Sequence, residues 1–206
     1  SECVKQLGLG FIFARSYHPA FRALAEMRAQ LAAQNRRTIF NLLGPLLNPA
    51  RPARQLIGVH TARMTMVFAE VLRQLGREKA WIVHGAVGEE GGMDDISTLG
   101  PTTLAELANG NVSSAVMDCR WLGIPEAKLA DLRCGDIDEN VRTLVGILSG
   151  ELRGARRDLA VANAAGGFVV AGLARDMSEG IWFAQKQIDD GKALAKLRAL
   201  QELSTR

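Results

Sequence analysis

QLIGVHTARMTMVFAEVLRQLGREKAWIVH, residues 55–84, is the stretch whose reading decides the fold. Its first six residues are short and apolar and read as a buried strand. Met64, Val67, Phe68, Val71, Leu72 and Leu75 then recur at spacings of three and four, the period of an amphipathic helix. Thr61 stands where a cap would open that helix, and Gly76 where a glycine would close it. Residues 80–84 (AWIVH) form a second apolar run. Strand, helix and strand in about 30 residues predict a parallel βαβ unit with a right-handed crossover, so the class is α/β.

Upstream, the apolar run 9–14 (LGFIFA) predicts another buried strand. His18-Pro19 opens a helix with Phe21, Leu24, Ala25, Arg28, Leu31 and Ala32 on one stripe. Gly44-Pro45, Asn48-Pro49 and Pro52 punctuate the chain before the βαβ unit. Downstream, 113–117 predicts a strand and 138–148 a helix. Residues 158–173 are apolar nearly all round and predict a buried helix. Asp176-x-x-Glu179 is a capping box for a helix reaching Asp190, and Ala193, Leu194, Leu197 and Leu200 stripe a last one.

The chain has 206 residues, 48% hydrophobic and 23% charged, an ordinary globular composition that can bury a sizeable core. Net charge is +3 and the isoelectric point is near 9.0, an excess too small to point to nucleic acid by itself. Cys3, Cys119 and Cys134 are far apart, which excludes a zinc ribbon or a disulfide framework and fits a reducing cytoplasm. No apolar run reaches the ~18 to 20 residues of a membrane span. The start, Ser-Glu-Cys-Val-Lys, has no signal-peptide layout and no initiator Met, and reads as a fragment or a processed chain.

Three features can carry chemistry. Arg28 shares the apolar stripe of Phe21, so its guanidinium either snorkels to water or grips a carboxylate in an apolar pocket. The segment 84–97 (HGAVGEEGGMDDIS) leaves the C-terminal end of a predicted parallel strand, where open α/β sheets bind ligands. It is either a solvated acidic loop or, at Asp94 and Asp95, a site for a hard cation shared with a phosphate. Glu89 and Glu90 read as solvated. His18, His60 and His84 lack metal-ligand spacing, and His60 and His84 at strand ends suit structural roles. No nucleophile elbow or Walker loop is present.

Together these pieces resemble the anthranilate phosphoribosyltransferases. GLGFIFARSYHPAF (8–21) and RTIFNLLGPLLNP (37–49) resemble the family's signatures, the second almost letter for letter. QLIGVH, WIVHG, GMDDIS, ELANG, LRCGDIDEN (132–140) and DLAVANAA (158–165) follow in the family's order, so the resemblance covers essentially the whole chain. It implies transfer of the phosphoribosyl group of phosphoribosyl pyrophosphate (PRPP) to the amine of anthranilate, releasing pyrophosphate, in tryptophan biosynthesis. The implied fold is a nucleoside phosphorylase/phosphoribosyltransferase-like α/β domain with a segment of a second, helical domain. Residues 1–16 would belong to the α/β domain, 17–49 to the hinge and helical domain, and 50–206 to the main α/β domain of a longer enzyme.

The resemblance also implies a cytoplasmic homodimer that uses magnesium, with no membrane partner. By position, Arg28 would contact the anthranilate carboxylate, and Ala14, His18, Phe21 and Pro45 would lie along that substrate's route. Asp94 and Asp95 fall on the family's Asp-Glu pair, which holds a metal bridging to PRPP. The glycine-rich PRPP loop, Gly-Thr-Gly-Gly-Asp, would lie upstream of Ser1. Three departures surround these positions. Residues 31–37 are about three longer than the family's usual link, Glu89 to Gly92 look inserted, and Asp95 replaces Glu. The competing expectation is a paralog that uses another acceptor or binds nucleic acid through Arg51, Arg54, Arg63, Arg153, Arg156 and Arg157.

Overall fold

The computed structural model describes residues 2–12, 27, 30–31, 33–34, 38–88 and 91–204. The chain divides into two compact units, Ser1–Pro52 and Ala53–Arg206. In the first, helix α1 spans Glu2–Leu7 and helix α2 spans Phe40–Leu43, continuing into a 3-10 turn, Gly44–Leu47, with Pro45 in its first turn. The strand expected at 9–14 does not form over 9–12, the part that is described. Phe11 is 80% exposed there, so over 9–12 it does not bury the apolar surface that would offset the cost of ordering a strand.

The second unit is a five-stranded mixed sheet between helices. Strand β1 (Arg54–Gly58), helix α3 (Arg63–Gln74) and strand β2 (Lys79–Val87) form the expected βαβ unit, with β1 and β2 parallel from Arg54↔Lys79 to Gly58↔Val83. Thr61 does not cap α3. The helix follows Ala62, and it is the Thr65 hydroxyl that donates back to the Ala62 carbonyl, at 2.8 Å. Phe68, Ala69 and Leu72 are the buried stripe, whereas Val67 is half exposed.

Every other pairing is antiparallel. Strand β3 (Gly91–Met93) folds back on β2, so half of the expected acidic loop is a hairpin. Strand β4 (Thr102–Ala108) lies against β2 from Gly85↔Thr102 to Lys79↔Ala108, and strand β5 (Asn111–Met117) pairs with β4, giving the order β1-β2-β4-β5. Strand β4 is absent from the sequence reading. Asn109 and Gly110 join β4 to β5 with φ of 51 and 76, the two-residue turn whose twist matches a hairpin.

Helices α4 (Ile137–Leu148), α5 (Ala155–Ala171), α6 (Met177–Asp189) and α7 (Lys192–Ser204) complete the unit. Asp176 caps α6 through the Glu179 amide at 2.9 Å, but Glu179 reaches back to the Arg175 amide, so the expected box is displaced by one residue. α5 packs on α6 and on β1 and β2, while α3 packs on β2, β4 and β5. Side-chain alternation on β2 serves both layers. Trp81 and Val83 join the core under α5 and α6; Ala80 and Ile82 point to the opposite face and are fully buried. A fully buried Ile82 or Leu72 contributes roughly 1.5–3 kcal/mol. Lys79 donates to the Val169 carbonyl and Arg54 to the Ala171 carbonyl, so two strand cations satisfy the C-terminal end of α5. Among the described residues, no helix is long and apolar enough to cross a membrane.

Candidate active site

The carboxylate pair follows β3 directly, and the sheet dictates where it sits. β1 ends at Gly58, opposite Val83, and β3 takes up pairing with β2 at Met93↔Gly85, two residues further along. The chain leaving β3 therefore runs across the C-terminal end of β1. The Asp94 main chain lies so close to Gly58 that a Cβ there would overlap it, and the Asp95 carbonyl and Ser97 press on Gly85 in the same way. Glycine at 58 and 85 is required by this approach, not by backbone angle.

Asp94 is exposed and Asp95 half-buried. Burial first, and the Asp94 carboxylate second, push the Asp95 carboxyl above its ordinary range. A cation arriving between two such groups would be favoured, because it relieves their repulsion. Among the described residues there is no group of three or more His, Cys, Asp or Glu side chains that could hold a metal. Two adjacent carboxylates fit a magnesium ion that keeps waters and takes substrate phosphate oxygens as further ligands.

The following residues build the support. The Ser97 amide donates to Thr102 Oγ1 at 2.9 Å, and the Ser97 hydroxyl donates to the Ala86 carbonyl at 2.7 Å. Asn163 on α5 bonds both main-chain groups of Ile96. His84 lies inside β2 rather than at its end, with Nδ1 at 2.8 Å from the Val59 carbonyl, a bracing role. His60 is exposed just beyond β1. Sequence reasoning assigned no role to Asn163, Ser97 or Thr102. A lone asparagine in the apolar run 158–173, where helix propensity disfavours it, was the available signal.

Of the other expected site residues, Pro45 is exposed in the 3-10 turn of the first unit. Ala14, His18, Phe21 and Arg28 lie outside the described residues, as do Glu89 and Glu90.

Fold and site together define an α/β protein that presents an acidic pair at the C-terminal end of its parallel strands. The chain belongs to the glycosyl transferase family, a/b domain, whose model matches residues 1–194. Across all 206 residues it is 43% identical to an anthranilate phosphoribosyltransferase of Chelativorans sp. (strain BNC1), of which it covers 58%. Among solved structures it superposes on the anthranilate phosphoribosyltransferase of Thermus thermophilus with a TM-score of 0.85 at 34% identity, over 96% of this chain and 56% of that one. The Saccharomyces cerevisiae enzyme in complex with PRPP and Mg matches with a TM-score of 0.76 at 25% identity, over 88% of this chain and 50% of that one. The chain thus spans a little over half the length of the relatives it matches.

Proposed function

We propose that this chain forms the greater part of an anthranilate phosphoribosyltransferase, joining the amine of anthranilate to the sugar of PRPP and releasing pyrophosphate. The observation that carries the reading is the Asp94–Asp95 pair, seated on Gly58 and Gly85 at the C-terminal end of the parallel strands. It is supported by relatives of that name and by a structural relative that holds PRPP and Mg.

Asp94 and Asp95 would hold magnesium, which when bound neutralises the departing pyrophosphate and fixes its orientation. Arg28 would present a planar fork to the anthranilate carboxylate and align the amine for attack, which is catalysis by positioning. Ala14, His18, Phe21 and Pro45 would border the aromatic ring's route. A neutral aromatic amine is already nucleophilic, so no strong base is assigned. Residues 17–49 would then belong to the hinge and helical domain, and 1–16 and 50–206 to the α/β domain. A homodimer in a reducing cytoplasm is the matching assembly and setting.

Two variants of an active full-length preparation test this. Arg28→Ala is expected to raise KM for anthranilate about 10- to 100-fold with little change for PRPP; an unaltered anthranilate dependence would sink the carboxylate assignment. Asp94→Asn combined with Asp95→Asn is expected to raise the magnesium needed for half-maximal rate by about tenfold or more. Superimposable magnesium titrations would remove the metal site.

A further inference from the structure

Ile96, directly after the acidic pair, is fully buried, yet it lies beyond the end of β3 and has no strand partner. Its amide and carbonyl must still be satisfied, because orphaned buried main-chain groups are costly. A side chain on α5 does this. The Ile96 amide donates to Asn163 Oδ1 at 2.9 Å, and Asn163 Nδ2 donates to the Ile96 carbonyl at 3.0 Å. The second Nδ2 proton goes to the Leu159 carbonyl, one turn back in the same helix, at 3.0 Å. Both donors of the carboxamide are therefore used, and its plane is fixed by its own helix while it grips the loop.

We propose that Asn163 is the positioning residue of the acidic pair, a two-point clamp that makes α5 the reference frame for Asp94 and Asp95. This inference rests on the metal-site reading above and extends it to a residue sixty-seven positions beyond Ile96 in sequence. Packing assists the clamp. A Cβ at Gly166, one turn beyond Asn163, would come within 2.6 Å of Ile96 Cδ1, so the Ile96 side chain seats in the notch that glycine leaves. Gly58 and Gly85 set the depth of the loop on the sheet. Close approach alone, however, does not fix its rotation. The carboxamide does, and a carboxylate one residue away inherits that orientation. Partners that orient metal ligands typically matter by about 10- to 100-fold in metal affinity.

The test uses manganese as the probe ion, followed by electron paramagnetic resonance, alongside amide hydrogen exchange at Ile96 and Ser97. Asn163→Ala is expected to weaken manganese binding about tenfold or more and to speed exchange at both amides. Val161→Ala, which thins the same helix in the core at a residue that makes none of the clamp's hydrogen bonds, is the control for a merely structural effect. It is expected to lower Tm while leaving manganese affinity and Ile96 exchange as in the parent. If Asn163→Ala keeps parental manganese affinity, or Val161→Ala weakens it equally, the positioning role is overturned. If the Asp94→Asn and Asp95→Asn double variant binds manganese like the parent, the metal-site reading itself fails, and the inference with it.

Discussion

Asp118 is 4% exposed and accepts hydrogen bonds from the Arg120 amide at 2.9 Å and from the Arg120 guanidinium at 2.5–3.0 Å. The same guanidinium reaches Glu126 at 2.9 Å. The Arg120 side-chain bond holds the Asp118 carboxyl below its ordinary range, with burial opposing it. A carboxyl whose folded pKa is depressed contributes stability that is present above its unfolded value, about 3.9, and lost as pH falls through the folded one. Asp118→Asn, which keeps a capping oxygen but no charge, is therefore expected to cost about 1–2 kcal/mol at pH 7. The difference from the parent should shrink below about pH 4. Urea titrations at several pH values check this, and a pH-independent difference would refute the charge assignment. The same kind of local grip explains what was readable of the site. Asp94 and Asp95 stand next to each other in sequence and are visible there. The pairing of Asn163 with Ile96 exists only once α5 is laid on the sheet.

Elements with a strong period were legible: α3, α5 and α6 form where apolar spacing places them, although Thr61 does not cap α3. β4 was not, because TTLAELA is built largely of Leu, Ala and Glu, good helix formers, and only its place between β2 and β5 makes it a strand. Asn109-Gly110 was the overlooked signal. Asn109→Val, a β-branched residue forced to φ near 51, is expected to destabilise the protein by about 1–2 kcal/mol through this turn; unchanged stability would mean the turn relaxes. The α5–α6 contact is tighter still. A Cβ at Gly180 would lie 2.7 Å from the Ala165 carbonyl oxygen, and backbone cannot yield as a side chain can. Gly180→Ala should force the helices apart at a cost of about 1–3 kcal/mol, a Tm lower by roughly 3–10 °C. Calorimetry decides it, and a rise in Tm would show that entropy loss in the unfolded chain outweighs the clash.

At the scale of the whole molecule, the question is whether a net charge of +3 makes a nucleic-acid surface. Phosphate binding needs cations that are free to replace condensed counterions, several on one face. Four of the six arginines with that potential already face carboxylates in the second unit. Arg54 meets Glu78 at 3.8 Å, Arg153 meets Asp189 at 3.7 Å, Arg156 meets Glu139 at 3.4 Å and Arg157 meets Asp189 at 2.8 Å. Arg157 is also buried, where no phosphate could reach it. Exposed ion pairs add little stability, but they do cancel the field a polyanion would sense at a distance. Arg156 is further committed to the Asp131 and Arg133 carbonyls and to the Thr143 hydroxyl, bonds a phosphate would have to break. The chain is therefore expected to show no measurable affinity for duplex DNA at about 0.15 M salt, and at low salt a dependence of log K on log salt no steeper than about −2. Fluorescence anisotropy with a labelled duplex across a salt series measures both. A slope of about −5 or steeper would mean that several arginines leave their carboxylates for phosphates, and would favour a nucleic-acid-binding paralog over the transferase.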